Sequence, residues 1–270
     1  MNLTINIADL QVNLALDQCD AATQTFTANF YSAFTVPYQL TPITIYIRVE
    51  PGEQFVPYGF TRNFYIGTRN QEGRIDFESH FEKGWVDLAT GRGELVMRPT
   101  GRVENFLRVL YAWLCLDQGG LVLHACGVIS NRRAFVFYGP SGSGKTTVAS
   151  LSPERTVLSD DIVIVKKQNG KFRAFGVPFR GDLPEAPRTN DSADLAGIFI
   201  LHKAAANRLE PLPISLAAAR LTAFVPFVIT EPHNAQRVMR VANELATSVP
   251  RYALHFKRDP EFWSLLDGLD

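Results

Sequence analysis

The stretch YGPSGSGKTTVASLSPERTVLSDDIVIV, residues 138–165, constrains this chain more than any other. Gly139, Gly144, Lys145 and Thr146 complete the pattern G-x-x-x-x-G-K-[ST], and Gly142 adds a further residue without Cβ. An apolar strand, RAFVFYG, leads into the loop, and a short helix from Lys145 to about Leu151 leads out of it. In that setting successive backbone N–H groups and the helix dipole can hold phosphate oxygens. Gly139, Pro140, Ser141, Gly142, Ser143, Gly144, Lys145, Thr146 and Thr147 are therefore the expected nucleotide cradle. A flexible surface turn is the alternative, and the strand–loop–helix context argues against it.

Asp160 follows fifteen residues after Lys145, with Asp161 next to it, too soon for the longer helix that an ordinary nucleotide-binding domain inserts there. They end the apolar strand TVLSDD, which puts carboxylates at a strand terminus, where phosphates are expected to lie. Adjacent carboxylates repel unless a cation lies between them, so the pair fits a metal or an acceptor proton better than a solvated turn. Lys145 is the expected cation for the β and γ phosphates, and Thr146 offers its hydroxyl to magnesium. His124, inside the strand LVLHACGVI, taken alone reads as a satisfied core histidine.

Residues 1–100 alternate short β-rich runs with turns: LTINI, ITIYIRV, RNFYIGTR, RIDFE and GELVMRP. Only ANFYSAF suggests helix there. RVENFLRVLYAWLCLDQGG then sets Val103, Phe106, Leu107, Leu110, Tyr111 and Leu114 on one helical face, closed by Gly119-Gly120. That helix is expected to join two parts, a β-rich region 1–100 and a loop-bearing domain 101–270. In the second part KKQNGKFRAF predicts a hairpin at Asn169-Gly170, AGIFILH and PRYALHFKR predict strands, and ISLAAARL, HNAQRVMRVANELATSV and PEFWSLLD predict helices. The expected class is α+β.

Lys+Arg and Asp+Glu are both 27, so no basic footprint for nucleic acid exists. The N-terminus MNLTINIADLQ lacks a secretory pattern, and runs such as VLYAWLCL are too short to span a bilayer. Three cysteines, Cys19, Cys115 and Cys126, have neither an even count nor metal-ligand spacing. A reducing cytoplasm is the expected setting. His80, His202, His233 and His255 share no spacing and read as surface or packing residues, and Trp85, Trp113 and Trp263 as core anchors.

Taken together, LVLHACGV, GPSGSGKTT, LSDDIVIV and VPFRGDLP resemble the HPr kinase and phosphoenolpyruvate carboxykinase superfamily, and more closely its HPr-kinase-like proteins, over about residues 102 to 266. The resemblance implies a loop set in a mixed sheet, which accounts for the short spacing. It implies ATP and Mg2+, with Asp160 as the base that receives a hydroxyl proton, and Asp161 and His124 serving metal or reacting phosphate. Both aspartates are candidate metal ligands beside Thr146. The N-terminal domain and basic C-terminal loop of a full HPr kinase/phosphorylase find no match, so HPr is not implied as the acceptor. A carboxykinase is a much longer chain whose substrate-binding arginines find no counterpart here.

What is implied is a kinase acting on the serine of a peptide or protein, or on a small-molecule hydroxyl, with neither nucleic acid nor membrane as partner. A homo-oligomer stays open. A nucleotide-binding module without transfer and an ATP hydrolase are the alternatives. Transfer calls for a cation beyond Lys145, and Arg180 in PFRG is the candidate, against the alternative of an exposed salt-bridging arginine. The β-rich region either selects the acceptor or covers the apolar face of the helix after Arg102.

Overall fold

Alternating burial builds the first sheet. The structure, a computed structural model, describes the chain apart from residues 39–40, 60–64, 180, 182, 184–187, 230 and 270. It divides into two compact units, Met1–Tyr111 and Ala112–Asp270. In the first, β1 (Asn2–Ile7) and β2 (Leu10–Gln18) form a hairpin over Ala8 and Asp9, whose φ of 53° and 60° suit a primed two-residue turn. Asp20 caps α1 (Ala21–Phe30) by accepting the Thr23 N–H at 2.7 Å. The helix thus starts seven residues before ANFYSAF, whose last residues instead form a 3-10 turn, Ser32–Phe34.

After β3 (Thr35–Val36) come β4 (Ile43–Val49), β5 (Ile66–Gln71), β6 (Arg74–Ser79), β7 (Glu82–Asp87) and β8 (Arg92–Met97). The strand order is β3-β1-β2-β4-β8-β7-β6-β5, with β4 parallel to both neighbours and the remaining pairs antiparallel. β5 is an edge strand. Ile45, Ile47, Ile75, Phe77 and Leu95 are buried, and Phe77 meets Phe106 of α2 (Val103–Asp117) edge-on at 5.5 Å. The division between units falls within α2.

The second unit begins with β9 (Leu121–Ser130), β10 (Arg133–Tyr138) and α3 (Lys145–Ser150). The strand expected over TVLSDD is β11 (Thr156–Ser159), which stops just before the aspartates, and a new strand, β12 (Ile162–Gln168), starts just after them. β13 (Lys171–Phe175) returns through the Asn169-Gly170 hairpin. β14 (Ser192–Lys203), β15 (Arg208–Pro211), α4 (Ile214–Thr222), α5 (Pro232–Ser248), β16 (Arg251–Phe256) and α6 (Phe262–Asp267) complete it.

β10 pairs antiparallel with β9 and parallel with β14, while β12 bridges β9 to β13 and β13 pairs with β14, so five strands close into a ring. β16 adds parallel to the far half of β14. Outside the ring α3 and α6 pack Val148, Ala149, Phe262 and Trp263 on Phe135, Phe137 and Phe199. Two mixed sheets and six α-helices among the described residues make an α+β protein. No helix among the described residues is long and apolar enough to cross a membrane.

Candidate active site

The loop springs from the end of β10. Gly144 has φ +114°, and a Cβ there would come within 2.5 Å of the Phe256 ring, so both conformation and space demand glycine. Gly142, at φ +76°, is required by conformation alone. The Ser143 N–H donates to the Pro140 carbonyl at 3.0 Å, closing the turn. Lys145 is buried, with Nζ donating to the carbonyls of Gly139 at 3.0 Å and Pro140 at 3.4 Å. Burial pulls its ammonium below the ordinary lysine value, and the charge of Asp161 works against that pull.

α3 starts at Lys145 with no side chain capping its first turn, and Thr146 and Thr147 are half-buried there. The Ser143 hydroxyl is buried without a hydrogen-bond partner among the described residues. Uncapped amides, a buried ammonium resting on carbonyls and an orphaned hydroxyl fit a polyphosphate carrying a divalent cation.

The aspartates divide between two environments. Ser159, fully buried, donates Oγ to the Phe179 carbonyl at 2.9 Å and accepts the N–H groups of Asp161 and Ile162. Asp160 is buried, and its two carboxylate oxygens accept the N–H groups of Gly181 and Leu183, each at 3.0 Å. A Cβ on Gly181 would lie 2.9 Å from the Asp161 Cβ, so only glycine allows this approach. Asp161 is more open, with Oδ1 3.4 Å from His124 Nε2, and its carbonyl accepts the Ala125 N–H.

β9 and β12 pair His124 with Ile162, and the His124 N–H is held by the Phe224 carbonyl at 2.8 Å. His124 and Asp161 are thus in contact, and the charge of Asp161 reaches Lys145 of the loop. Asp160 turns instead to the backbone at Gly181 and Leu183. Arg180 lies outside the described residues.

A second group, without a motif in the sequence, lies on β14 and β16. The parallel pairing of β14 with β16 sets His202 opposite His255, and their rings stack with centroids 5.1 Å apart. His255 also meets Glu210 at 3.3 Å and Arg208 at 3.3 Å. No sequence spacing links these residues; only apolar strands that end in histidine hint at them. In the Met1–Tyr111 unit, an open groove of about 650 Å³ lies against β5 to β8, lined among others by Tyr65, Arg69, Lys83 and Trp85. Trp85, expected as a core anchor, stands here under the Arg74 guanidinium at 4.1 Å.

Residues 102–269 match a family model described as SynChlorMet cassette protein ScmC. Among solved structures, the chain is similar to the Hpr(Ser) kinase/phosphatase from Coxiella burnetii, at 10% identity and a TM-score of 0.31, with 55% of this chain and 87% of that chain covered. No curated protein matches the chain.

Proposed function

The chain belongs to the SynChlorMet cassette protein ScmC family, and for this member we propose an ATP-dependent phosphotransferase that moves the γ-phosphoryl group onto a hydroxyl, either that of a serine in a peptide or protein or that of a small molecule. The observation carrying the proposal is the buried loop lysine whose ammonium feels the charge of Asp161, itself in contact with His124. In this reading the triphosphate takes the loop N–H groups, and Lys145 exchanges the carbonyls of Gly139 and Pro140 for phosphate oxygens. Thr146 would hold magnesium, with Asp161 as the candidate second ligand, and the ion would supply neutralisation of phosphate charge.

A base must be reachable by the hydroxyl it serves, and of the two carboxylates Asp161 is the open one. The acceptor oxygen attacks the γ phosphorus, and the bond to the β–γ bridging oxygen breaks. The electron pair leaves on ADP, and the hydroxyl proton passes to Asp161. His124 orients that carboxylate. Asp160, expected from the resemblance as the base, becomes a positioning residue that holds the backbone of Gly181 and Leu183 over the site. The Met1–Tyr111 unit selects the acceptor, with β5 as an edge to which an extended peptide can add.

Incubation with γ-labelled ATP and magnesium, with and without candidate acceptors, tests the proposal. Label on an acceptor hydroxyl is the expected result. Label released only as inorganic phosphate would make the protein a hydrolase, and binding without turnover would make it a regulatory module.

A further inference from the structure

Phosphoryl transfer spreads negative charge over three equatorial oxygens, and enzymes of this chemistry meet it with more than one cation. Lys145 is one. Resting on the phosphotransfer reading above, we propose that Arg220 is a further catalytic residue, a cation delivered from the last turn of α4 to the γ-phosphoryl oxygens.

Two contacts tie that turn to the site. The Arg220 carbonyl accepts the Ala223 N–H at 3.1 Å, and the next residue, Phe224, gives its carbonyl to the His124 N–H at 2.8 Å. The Phe224 ring meets the Tyr138 ring at 5.6 Å, and Tyr138 is the last residue before the loop. The end of α4 is therefore fastened to the strand that carries His124 and to the strand of the loop.

The charge of Arg220 is felt at the same end of the ring. It offsets part of the rise that burial imposes on the Tyr138 hydroxyl, and it helps burial and His255 lower His202. Tyr138 pairs with Ile200, two residues before His202, and a Cβ on Gly139 would lie 3.7 Å from the Leu201 nitrogen. The segment that follows Arg220 thus packs where the loop leaves β10, through the Phe224 ring on Tyr138.

Its side chain is exposed and has neither hydrogen bond nor ion pair among the described residues. Arg173 and Arg237 are held by Asp194 and Asp117 at 2.6 Å each, and the nearby Glu210 is taken by Arg208 and His255. The helix C-terminus favours a cation at this position. An arginine so placed and unengaged can swing to phosphate without breaking a structural contact.

The test compares wild type, Arg220→Met and Arg220→Lys for binding of Mg·ADP and of Mg·ADP with aluminium fluoride, a mimic of the transferring group. Wild type should gain about a hundredfold or more in affinity with the fluoride. Arg220→Met should bind Mg·ADP within about threefold of wild type yet lose that gain, and its transfer rate should fall about 10³-fold. Guanidinium ion added to Arg220→Ala should restore part of the rate, which a residue of merely structural role would not allow. A retained gain in Arg220→Met would overturn the assignment while leaving the phosphotransfer reading intact. Wild type that binds neither ADP nor the analogue would bring down that reading itself. An unchanged melting temperature in Arg220→Lys guards against loss of fold, and a drop in both variants would make Arg220 structural.

Discussion

Lys145 is held buried on two carbonyls, and that position opposes folding when the site has no anion. Its folded value lies below that of the unfolded chain, so between the two the unfolded state binds more protons. Stability should rise with pH through that window and should be penalised below it. Lys145→Met is therefore expected to keep or raise the melting temperature of the nucleotide-free protein at neutral pH while abolishing the shift that ATP gives, by scanning calorimetry. A lower melting temperature in the variant would contradict this account.

The two aspartates should separate by readout. Asp161→Asn should cut turnover by about 10²–10⁴-fold with little change in melting temperature. Asp160→Asn should destabilise by about 1–3 kcal/mol, since an amide oxygen can replace only part of a carboxylate that accepts two N–H bonds. Turnover lost in Asp160→Asn at unchanged stability, with Asp161→Asn destabilised and active, would reverse these roles. The sequence displayed the pair and the loop in full, but not the division of labour. Successive residues of extended chain face opposite ways, and which one meets His124 depends on the break between β11 and β12. The stacked His202 and His255 were illegible for a related reason, because only the β14–β16 register brings them together.

Gly144 links the loop to the strand beside it. Gly144→Ala should force Phe256 or the loop to move, costing about 1–3 kcal/mol and nucleotide affinity together, as titration calorimetry would register. Arg69→Glu and Trp85→Ala in the groove of the first unit should raise KM for the acceptor and leave KM for ATP unchanged. An equal effect on both substrates would remove that unit from acceptor selection. Elements with a clear period were readable: α2, α5 and the hairpin over Asn169-Gly170 lie where their patterns put them. β2 escaped because Val12, Asn13, Leu14, Ala15 and Leu16 are buried in succession, which erases the alternation that marks a half-exposed strand. β7 and β15 are short and polar, and their strand character comes from neighbours.

For the molecule as a whole, nucleotide at a hundred times its Kd should stabilise the unit that binds it by about 2.7 kcal/mol. Hydrogen exchange should show the added protection in Ala112–Asp270. Protection confined to Met1–Tyr111 would place the ligand in the wrong half. The ring of strands carries a consequence in time. β10 emerges from synthesis well before its second neighbour, β14, which lies about sixty residues downstream, and such distant closure is slow to form. A chain caught before that closure has the loop's sequence without its shape, so on the phosphotransfer reading a nucleotide would have nothing to grip on the way to the native state. The ligand should therefore leave the refolding rate alone and lengthen the lifetime of the finished protein, and the difference would be visible in the unfolding arm alone of a denaturant-jump experiment.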